Sequence, residues 1–218
     1  MAGRGRFITL EGGEGVGKST LASALEARLI ARGRKVVRTR EPGGTRGAEA
    51  IRSLILNPPV EVSGWEPVAE TLLFYAARTD HLDKLIRPAL RAGIWVLCDR
   101  FSDSTRAYQA AAGHVPSEHI ETLDRICVGD TTPDLTLVLD LPLSAARDRM
   151  TARANDKDAI ESRMLSYHEA VHKAFLDIAL ANPQRCVVLN ASLAPETLAD
   201  AAMAVIDERL GGDRKSVV

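Results

Sequence analysis

A glycine-rich stretch carrying a lysine and a serine, GGEGVGKST at residues 12–20, is the segment with the clearest chemical capability. It fits the pattern G-x-x-x-x-G-K-[ST], in which backbone N–H groups surround a phosphate, the lysine reaches the β- and γ-phosphates and the serine binds Mg²⁺. The candidate residues for binding a nucleoside triphosphate are Gly12, Gly13, Glu14, Gly15, Val16, Gly17, Lys18, Ser19 and Thr20. A bound triphosphate is compatible with a switch, a motor or a phosphotransferase.

A phosphotransferase needs a second anion site facing the first, and two stretches offer arginines for it. In CDRFSDS, Asp99 and Arg100 follow an apolar run, where Asp99 can position Mg²⁺ and Arg100 can clamp a phosphate. In TREPGGT, Arg40 and Glu41 precede Pro42 and two glycines, and Arg52 follows on the next short helix. The alternatives are a salt bridge between neighbours at the strand end and a turn that merely closes a strand.

Two further stretches combine aromatic rings with hydrogen-bonding groups. In LLFYAARTDH, Phe74 and Arg78 are four residues apart and share a helix face, which suits stacking and hydrogen bonding to a nucleobase. A core phenylalanine beside a surface arginine is the ordinary alternative. In STRAYQ, Thr105 and Gln109 share a face next to Tyr108, and Gln109 can both donate and accept, as the imide edge of a pyrimidine demands.

These side chains must be positioned by strands and helices that alternate along the chain. Short apolar runs rich in β-branched residues predict strands at residues 6–11, 35–39, 94–99, 134–140 and 186–190. Near-continuous apolar character indicates a parallel sheet covered by helices on both faces, hence an α/β fold. The glycine loop then follows the first strand and opens a helix, as its motif requires.

Helical periodicity predicts the intervening elements. The predicted helices cover residues 19–31, 67–90, 117–128, 161–181 and 195–210. The second is expected to carry an apolar row of Val68, Leu72, Ala76 and Leu82, and the third to begin with Ser117 as its N-cap. Residues 57–65 and 152–161 fit neither class, and no internal repeat or interdomain linker is evident, so residues 1–218 are expected to form one domain.

Composition excludes several classes of protein. A formal net charge of −1 gives no overall basic field for nucleic acid or an anionic membrane. No apolar run is long enough for a membrane span, and MAGRGRF, which has no apolar segment behind it, is not expected to act as a secretion signal. The three cysteines form no C-x-x-C pair, and Cys98 and Cys186 lie in strand-like runs as buried thiols. These features predict a cytoplasmic protein without nucleic-acid or membrane partners.

The combination of motifs resembles the bacterial thymidylate kinases. FITLEGGEGVGKST, TREPGGT, LLFYAAR, DRFSDSTRAYQ and PDLTLVLDLP occur in the order and at the spacing of that family, from about Phe7 to Leu210. The resemblance implies a P-loop nucleoside monophosphate kinase fold, with five parallel strands, flanking helices and a mobile lid. It implies transfer of the γ-phosphoryl group of ATP to dTMP with Mg²⁺, in a homodimer.

Roles carried over by the resemblance divide between base, sugar and phosphate. Phe74 stacks on thymine, Arg78 bonds its O4 edge and Gln109 reads its N3 side, while Tyr108 lies near the sugar 2′ position. Glu41 is implied near the 3′-hydroxyl or the water shell of the metal. The implied substrate-binding residues are Arg40, Glu41, Pro42, Arg52, Phe74, Arg78, Arg100, Ser104, Thr105, Tyr108 and Gln109, with a cis bond before Pro42; Ser19 and Asp99 are the implied metal residues.

The resemblance also implies a lid, at about residues 147–161. One subclass of the family has an arginine in the glycine loop, whereas this loop has no cation at residues 13–16, so the extra cation is expected in the lid. Arg153 is assigned to the γ-phosphate, and Arg149 to stacking on adenine; Arg147 and Lys157 are further lid cations. The expected catalytic set is Lys18, Arg100, Arg153 and Glu41, and residues 211–218 have the composition of a frayed end.

Two rival functions remain open at this stage. A kinase for another nucleoside monophosphate would use the same phosphate machinery, although a purine would need a larger pocket. A regulatory protein that binds ATP without turnover would need no second substrate, which the intact Lys18, Ser19, Asp99 and Arg100 argue against. The sequence has no N-K-x-D motif for guanine. The five histidines show no metal-ligand spacing and are expected at the surface or in helix packing.

Overall fold

The computed structural model of the protein describes residues 4–58, 64–152 and 164–211. Within these residues a single sheet contains strands β1 (Phe7–Glu11), β2 (Val36–Arg40), β3 (Trp95–Asp99), β4 (Leu135–Asp140) and β5 (Cys186–Asn190). All pairs are parallel, in the order β2-β3-β1-β4-β5. The predicted strands and the predicted α/β class are confirmed.

Helices cover both faces of this sheet. They are α1 (Lys18–Ala31), α2 (Arg46–Leu56), α3 (Pro67–His81), α4 (Arg87–Arg91), α5 (Ser102–Thr105), α6 (Ser117–Leu123), α7 (Leu143–Ala152), α8 (Leu165–Ala181) and α9 (Pro195–Leu210). Wider π-helical turns join some of them: Leu82–Ile86 joins α3 to α4, Arg106–Ala112 continues α5, and Asp124–Val128 continues α6. Such turns displace the side chains that follow them relative to an α-helix.

The core forms on both faces because the central strands are apolar throughout. On one face, Leu25 of α1 and Ile206 of α9 pack with Leu10 and Leu137. Two hydrophobic clusters cover the other face. In one, Tyr75 of α3 packs with Phe7 and Val96. The other includes Val138 of β4 and Phe175 of α8. Cys98 and Cys186 are buried thiols, as predicted.

Helix α3 does not turn most of its predicted apolar row toward the core. The row of Val68, Leu72 and Ala76 is exposed, with 52% and 50% of Val68 and Leu72 accessible. The buried face instead carries Glu70, Thr71, Phe74, Tyr75, Ala77, Arg78 and His81. Polar residues face inward because this side of α3 forms the wall of a cavity, where buried polar groups find hydrogen-bond partners.

Two helices begin at slightly different residues from those predicted, and part of the predicted lid lies outside the described residues. Ser117 is the first residue of α6 and not its N-cap, because Pro116 takes that position without a side-chain hydrogen bond. The helix predicted from residue 161 begins at Leu165, and Met164 is exposed before it. The remainder of the predicted lid beyond Ala152, including Arg153 and Lys157, lies outside the described residues, as do residues 59–63 and 212–218.

Candidate active site

The carboxyl ends of β1, β2 and β3 meet at two adjoining cavities. Register pairs Leu10 and Arg40 with Asp99, so the segments that follow the three strands emerge side by side. The larger cavity has a volume of about 300 Å³ and the smaller about 170 Å³. Both are lined by Glu14, Ser19, Glu41, Arg52 and Arg100. The arrangement joins a phosphate-sized space to a space suited to a small organic group.

The glycine loop takes backbone conformations that side chains resist. Gly12, Gly15 and Gly17 have φ values of 135°, 73° and 97°. A Cβ added at Gly15 would lie 2.5 Å from the carbonyl oxygen of Ala146 in α7. The loop therefore has no space for a side chain at Gly15 while α7 packs against it.

Lys18 is folded back onto the loop. Its ammonium donates to the carbonyl oxygens of Gly12 at 3.1 Å and Gly13 at 2.6 Å. Burial, together with the nearby Arg100 guanidinium, lowers the pKa of Lys18 to about 8. The amine is therefore poised to gain from a phosphate, because a bound anion would stabilise its protonated form.

Ser19 and Asp99 lie together, as the motif predicts. The Ser19 hydroxyl donates to Oδ2 of Asp99 at 2.8 Å. Hydroxyl and carboxylate oxygens fit Mg²⁺, which is usually held by one or two protein groups together with phosphates and waters. In the described part of the chain no cluster of three or more histidine, cysteine, aspartate or glutamate side chains forms a cage. That donor set fits a metal ion that arrives with a nucleotide.

Arg100 is held by the glycine loop itself. Its backbone has φ of 72°, which turns the chain sharply after β3. Nη2 donates to Oε1 of Glu14 at 2.6 Å, and Nη1 donates to the Gly12 carbonyl at 2.9 Å. Burial alone would raise the pKa of Glu14, but Arg100 and Lys18 outweigh it and hold the pKa at about 2. Arg100, which was predicted to hold the substrate phosphate, is thus paired with the carboxylate of Glu14.

Glu11, which was not among the predicted site residues, binds the segment that follows Arg100. The carboxylate is fully buried and accepts from the Phe101 amide at 2.7 Å and the Ser104 hydroxyl at 2.6 Å. Burial, with the nearby carboxylate of Asp103, raises the pKa of Glu11 to about 8. A lone glutamate ending an otherwise apolar strand was the available signal, because such a residue needs buried partners.

Arg40 and Arg52 approach the smaller cavity from β2 and α2. Nη2 of the Arg40 guanidinium donates to both carboxylate oxygens of Glu49 at 3.1 Å. The side chain of Arg40 is 54% exposed. Arg52 donates from Nη1 to the carbonyl oxygen of Pro42 at 2.9 Å. The Glu41–Pro42 bond is cis, as expected. Together with Lys18 and Arg100, these side chains supply positive charge to one small space.

Arg78 is buried in the wall of the larger cavity and not on the surface. Only 2% of it is exposed, and its guanidinium lies over the rings of Tyr75 and Phe101. Nε donates to Oε2 of Glu41 at 2.7 Å, while Nη2 donates to the Phe101 carbonyl and to Oγ1 of Thr105. Nη1 has no hydrogen-bond partner within the described part of the chain.

Glu41 lies where the two cavities meet and is held by two buried side chains. It lines both cavities, but its two carboxylate oxygens contact Arg78 and, at 3.1 Å, Nδ1 of His81. His81 is fully buried, and its Nε2 lies 2.7 Å from Oγ1 of Thr39. The expectation that every histidine is a surface or helix-packing residue was wrong for His81, which belongs to a buried polar chain supporting Arg78.

The remaining base-side residues come together as predicted. The larger cavity is lined by Phe74, Arg78, Ser104, Thr105, Tyr108 and Gln109, among others. The Tyr108 hydroxyl donates to Oε1 of Glu14 at 3.1 Å, and its ring lies under the Arg100 guanidinium. Gln109 is 2% exposed and donates from Nε2 to Oε1 of Glu70 at 2.9 Å. Glu70 was not among the predicted site residues.

Arg149 connects the glycine loop to the segment after β5. Its Nη2 donates to the Ala191 carbonyl at 3.1 Å, and Nη1 lies 3.5 Å from the carbonyl oxygen of Val16. Arg149 therefore borders the glycine loop. Its role in stacking on adenine stays a prediction. Arg153, the predicted γ-phosphate cation, lies outside the described residues.

Comparison with known proteins adds independent information. The family model described as thymidylate kinase matches residues 10–202. Curated thymidylate kinases include one from Bradyrhizobium diazoefficiens that is 47% identical over 100% of this chain and 95% of its own length. Another, from Caulobacter vibrioides, is 48% identical over 95% of this chain and 99% of its own length. None of the helices in the described ranges is both long and apolar enough to cross a membrane.

Proposed function

This chain belongs to the thymidylate kinase family, and from that membership we propose that it transfers the γ-phosphoryl group of ATP to dTMP, giving dTDP and ADP. It is a nucleoside monophosphate kinase, hence a phosphotransferase. The observation that carries the proposal is the joined pair of cavities, in which Arg100 and Glu14 are shared by the phosphate loop and the aromatic pocket.

Phosphoryl transfer depends on alignment and on neutralising negative charge more than on covalent help from the protein. Lys18 and the glycine-loop amides bind the ATP phosphates, while Arg100, Arg40 and Arg52 hold the phosphate of dTMP. The attacking oxygen is already ionised at neutral pH, so a dedicated general base is unnecessary. The nearby Ser19 and Asp99 side chains would hold Mg²⁺, which supplies charge neutralisation at the β- and γ-phosphates.

Recognition of thymine rests on the larger cavity. Phe74 is 9% exposed and offers a stacking surface. Arg78 offers to the O4 atom its Nη1, which has no hydrogen-bond partner among the described residues. Tyr108 is fixed by Glu14 and by an edge contact with Phe175, with ring centroids 6.0 Å apart, which supports a role against a ribose 2′-hydroxyl. The contacts of Glu41 support a role in holding Arg78 rather than in direct chemistry.

The lid proposal rests on the composition of residues 147–161. We assign Arg153 to the transferred phosphate and Arg149 to adenine, with closure excluding water once both nucleotides are bound. The glycine loop carries no cation at residues 13–16, which supports a cation supplied from the lid. Replacing Arg153 by alanine is expected to lower kcat by orders of magnitude with little change in the KM for dTMP; near-normal turnover would overturn this assignment.

A homodimer is part of the proposal. The exposed row of Val68, Leu72 and Ala76 on α3 lies on a helix that packs beside the turn Asp124–Val128, where Ile126 is 72% exposed. A second copy would cover this apolar surface. Light scattering of the wild type and of Leu72→Glu tests the dimer, and an unchanged mass in the variant would overturn this interface.

We place the enzyme in the cytoplasm, in keeping with three free thiols.

The test of the function is ADP formation from Mg-ATP with dTMP, dUMP, UMP, dCMP, dGMP and AMP. A strong preference for dTMP, with dUMP second, is expected from the proposed pocket. Preference for another nucleotide would retain the kinase and overturn the thymine assignment. Tight ATP binding without turnover of any monophosphate would favour a regulatory ATP-binding protein.

A further inference from the structure

We propose that Glu70 is a positioning residue for base selection, because it fixes the direction in which the Gln109 amide faces the base. This inference rests on the proposed function, since it concerns the same pocket. Glu70 lies on the buried face of α3, four residues before Phe74 and eight before Arg78. It is 6% exposed and is not among the described residues that line the cavity. Gln109, to which it is hydrogen-bonded, does line the cavity and so connects Glu70 to a ligand.

Hydrogen bonds join α3 to α5 and to the turn that continues it, on both sides of Phe74 along the helix. Arg78 donates to Oγ1 of Thr105 at 2.9 Å, and Gln109 donates to Oε1 of Glu70 at 2.9 Å. Gln109 lies in the π-helical turn Arg106–Ala112, which continues from α5. The base-stacking surface of Phe74 is thus bracketed by an arginine and by an amide.

The chemistry of Glu70 determines what the amide presents. An ionised carboxylate can only accept hydrogen bonds, so it binds the NH₂ group of Gln109 and disfavours the flipped amide, whose oxygen would face the carboxylate. The carbonyl oxygen Oε1 is then the amide atom left for the cavity. Without a partner of this kind, the two ends of a glutamine amide are nearly equivalent in shape.

The resulting pattern is one donor and one acceptor side by side. Arg78 offers Nη1–H and Gln109 offers Oε1, which complement the O4 acceptor and the N3–H donor of thymine. A cytosine ring presents an amino donor and an N3 acceptor at the same positions, so both contacts would be repulsive. Glu70 thereby imposes the half of the selection that acts at N3, while Arg78 imposes the half that acts at position 4.

The experiment compares Glu70→Gln with wild type, using dTMP and 5-methyl-dCMP as the acceptors. The two nucleotides share the methyl group and differ only in the hydrogen-bonding pattern being tested. A glutamine at position 70 can donate to the flipped amide of Gln109, so both orientations become accessible. The ratio of kcat/KM for dTMP to kcat/KM for 5-methyl-dCMP is expected to fall about tenfold, the usual size of one hydrogen-bond mismatch.

Glu66→Gln is the matched control. It makes the same change four residues earlier, at the exposed N-cap position of α3, where the side chain caps no backbone N–H. It should leave the ratio within about twofold because exposed hydrogen-bonding groups exchange with water at little cost. If Glu70→Gln lowers kcat/KM for both nucleotides by the same factor, Glu70 merely joins two helices and the proposal is overturned. A ratio equal to that of wild type would overturn it as well.

A second variant keeps the test decisive if Glu70→Gln does not fold. Gln109→Leu keeps the approximate volume and removes both amide atoms, so the ratio should again fall about tenfold. An unchanged ratio in Gln109→Leu would show that the amide does not read N3 and would overturn the proposal. Wild-type turnover reports separately on the function: no dTMP turnover would overturn both claims, whereas dTMP turnover with an unchanged ratio would overturn the role of Glu70 alone.

Discussion

Arg78 and Arg100 line the same cavity, yet the protein holds them in different ways. Arg78 is 2% exposed and is paired with Glu41, which is itself buried and backed by His81. The side chain of Arg100 is 15% exposed, and its partner Glu14 is 23% exposed on the glycine loop. The base side of the cleft is therefore arranged in advance by buried contacts. The cations of the phosphate side rest on partners that an incoming phosphate can displace.

The largest effect is expected from removing the displaceable cation. Arg100→Ala should lower kcat/KM for dTMP by about 10³, the scale of a lost transition-state charge contact. The melting temperature should fall less than in Arg78→Ala, because Glu14 is 23% exposed and keeps the nearby Lys18 ammonium and the Tyr108 hydroxyl as partners. Steady-state kinetics and thermal unfolding of the same preparation check both parts. A large loss of stability would contradict the distinction drawn between the two arginines.

Arg78→Ala should affect both properties. Loss of the O4 contact is expected to lower kcat/KM for dTMP by about 10², and the buried Glu41 left without its partner should cost about 3 kcal/mol of unfolding free energy. For a chain of this size that corresponds to a fall of about 8 °C in melting temperature. Unchanged thermal unfolding would show that the contacts of Glu41 are not structural.

The pH dependence of ATP use tests the state of Lys18. Burial lowers the pKa of Lys18 to about 8, so the ammonium is lost as the pH rises above that value. Values of kcat/KM for ATP should fall about tenfold per pH unit on this limb, because they report the free enzyme. The limb in kcat should lie at higher pH, because bound phosphates favour the charged amine.

Glu11 titrates in the same range and supplies the control for that profile. Burial raises the pKa of Glu11 to about 8, so its deprotonation would also appear on an alkaline limb. If Lys18 is responsible, Glu11→Gln retains the limb in kcat/KM for ATP. Disappearance of the limb in that variant would assign it to Glu11 instead.

The smallest effect is expected at Tyr108, which belongs to both sides of the cleft. Tyr108→Ala should relax discrimination between dTMP and its ribose counterpart about fivefold, since a contact of one ring edge with one hydroxyl is worth about 1 kcal/mol. The ratio of kcat/KM for the two nucleotides is the measurement. Selectivity equal to that of wild type would remove Tyr108 from this role.

The parts of the molecule that could be predicted follow from local pattern. β-Branched apolar runs gave the five strands, and the glycine loop with Lys18 and Ser19 gave the phosphate site, because each is encoded by neighbouring residues. The position of Phe74 and Arg78 on one face of α3 also followed from helical spacing. These features need no knowledge of what packs against them.

The features that escaped prediction depend on contacts between distant segments. The apolar row of Val68 and Leu72 fits a buried face by periodicity, and only the cavity on the opposite side of α3 explains why it is exposed. The partners of His81 and Glu70 lie about 40 residues away in sequence. Hydrogen bonds of this kind are selected by three-dimensional placement, which spacing along the chain does not reveal.

The carboxylate of Glu14 has a consequence for which anions the cleft admits. Lys18, Arg40 and Arg100 lie within one small space, and without counter-charges they would attract any polyanion in the cell. Glu14 neutralises Arg100, Glu49 neutralises Arg40, and loop carbonyls hold Lys18. A single phosphate ion gains little by displacing one partner, whereas two nucleotides that engage the cations together gain from all of them at once. The cleft is thus expected to bind single anions weakly and the two substrate nucleotides together more tightly.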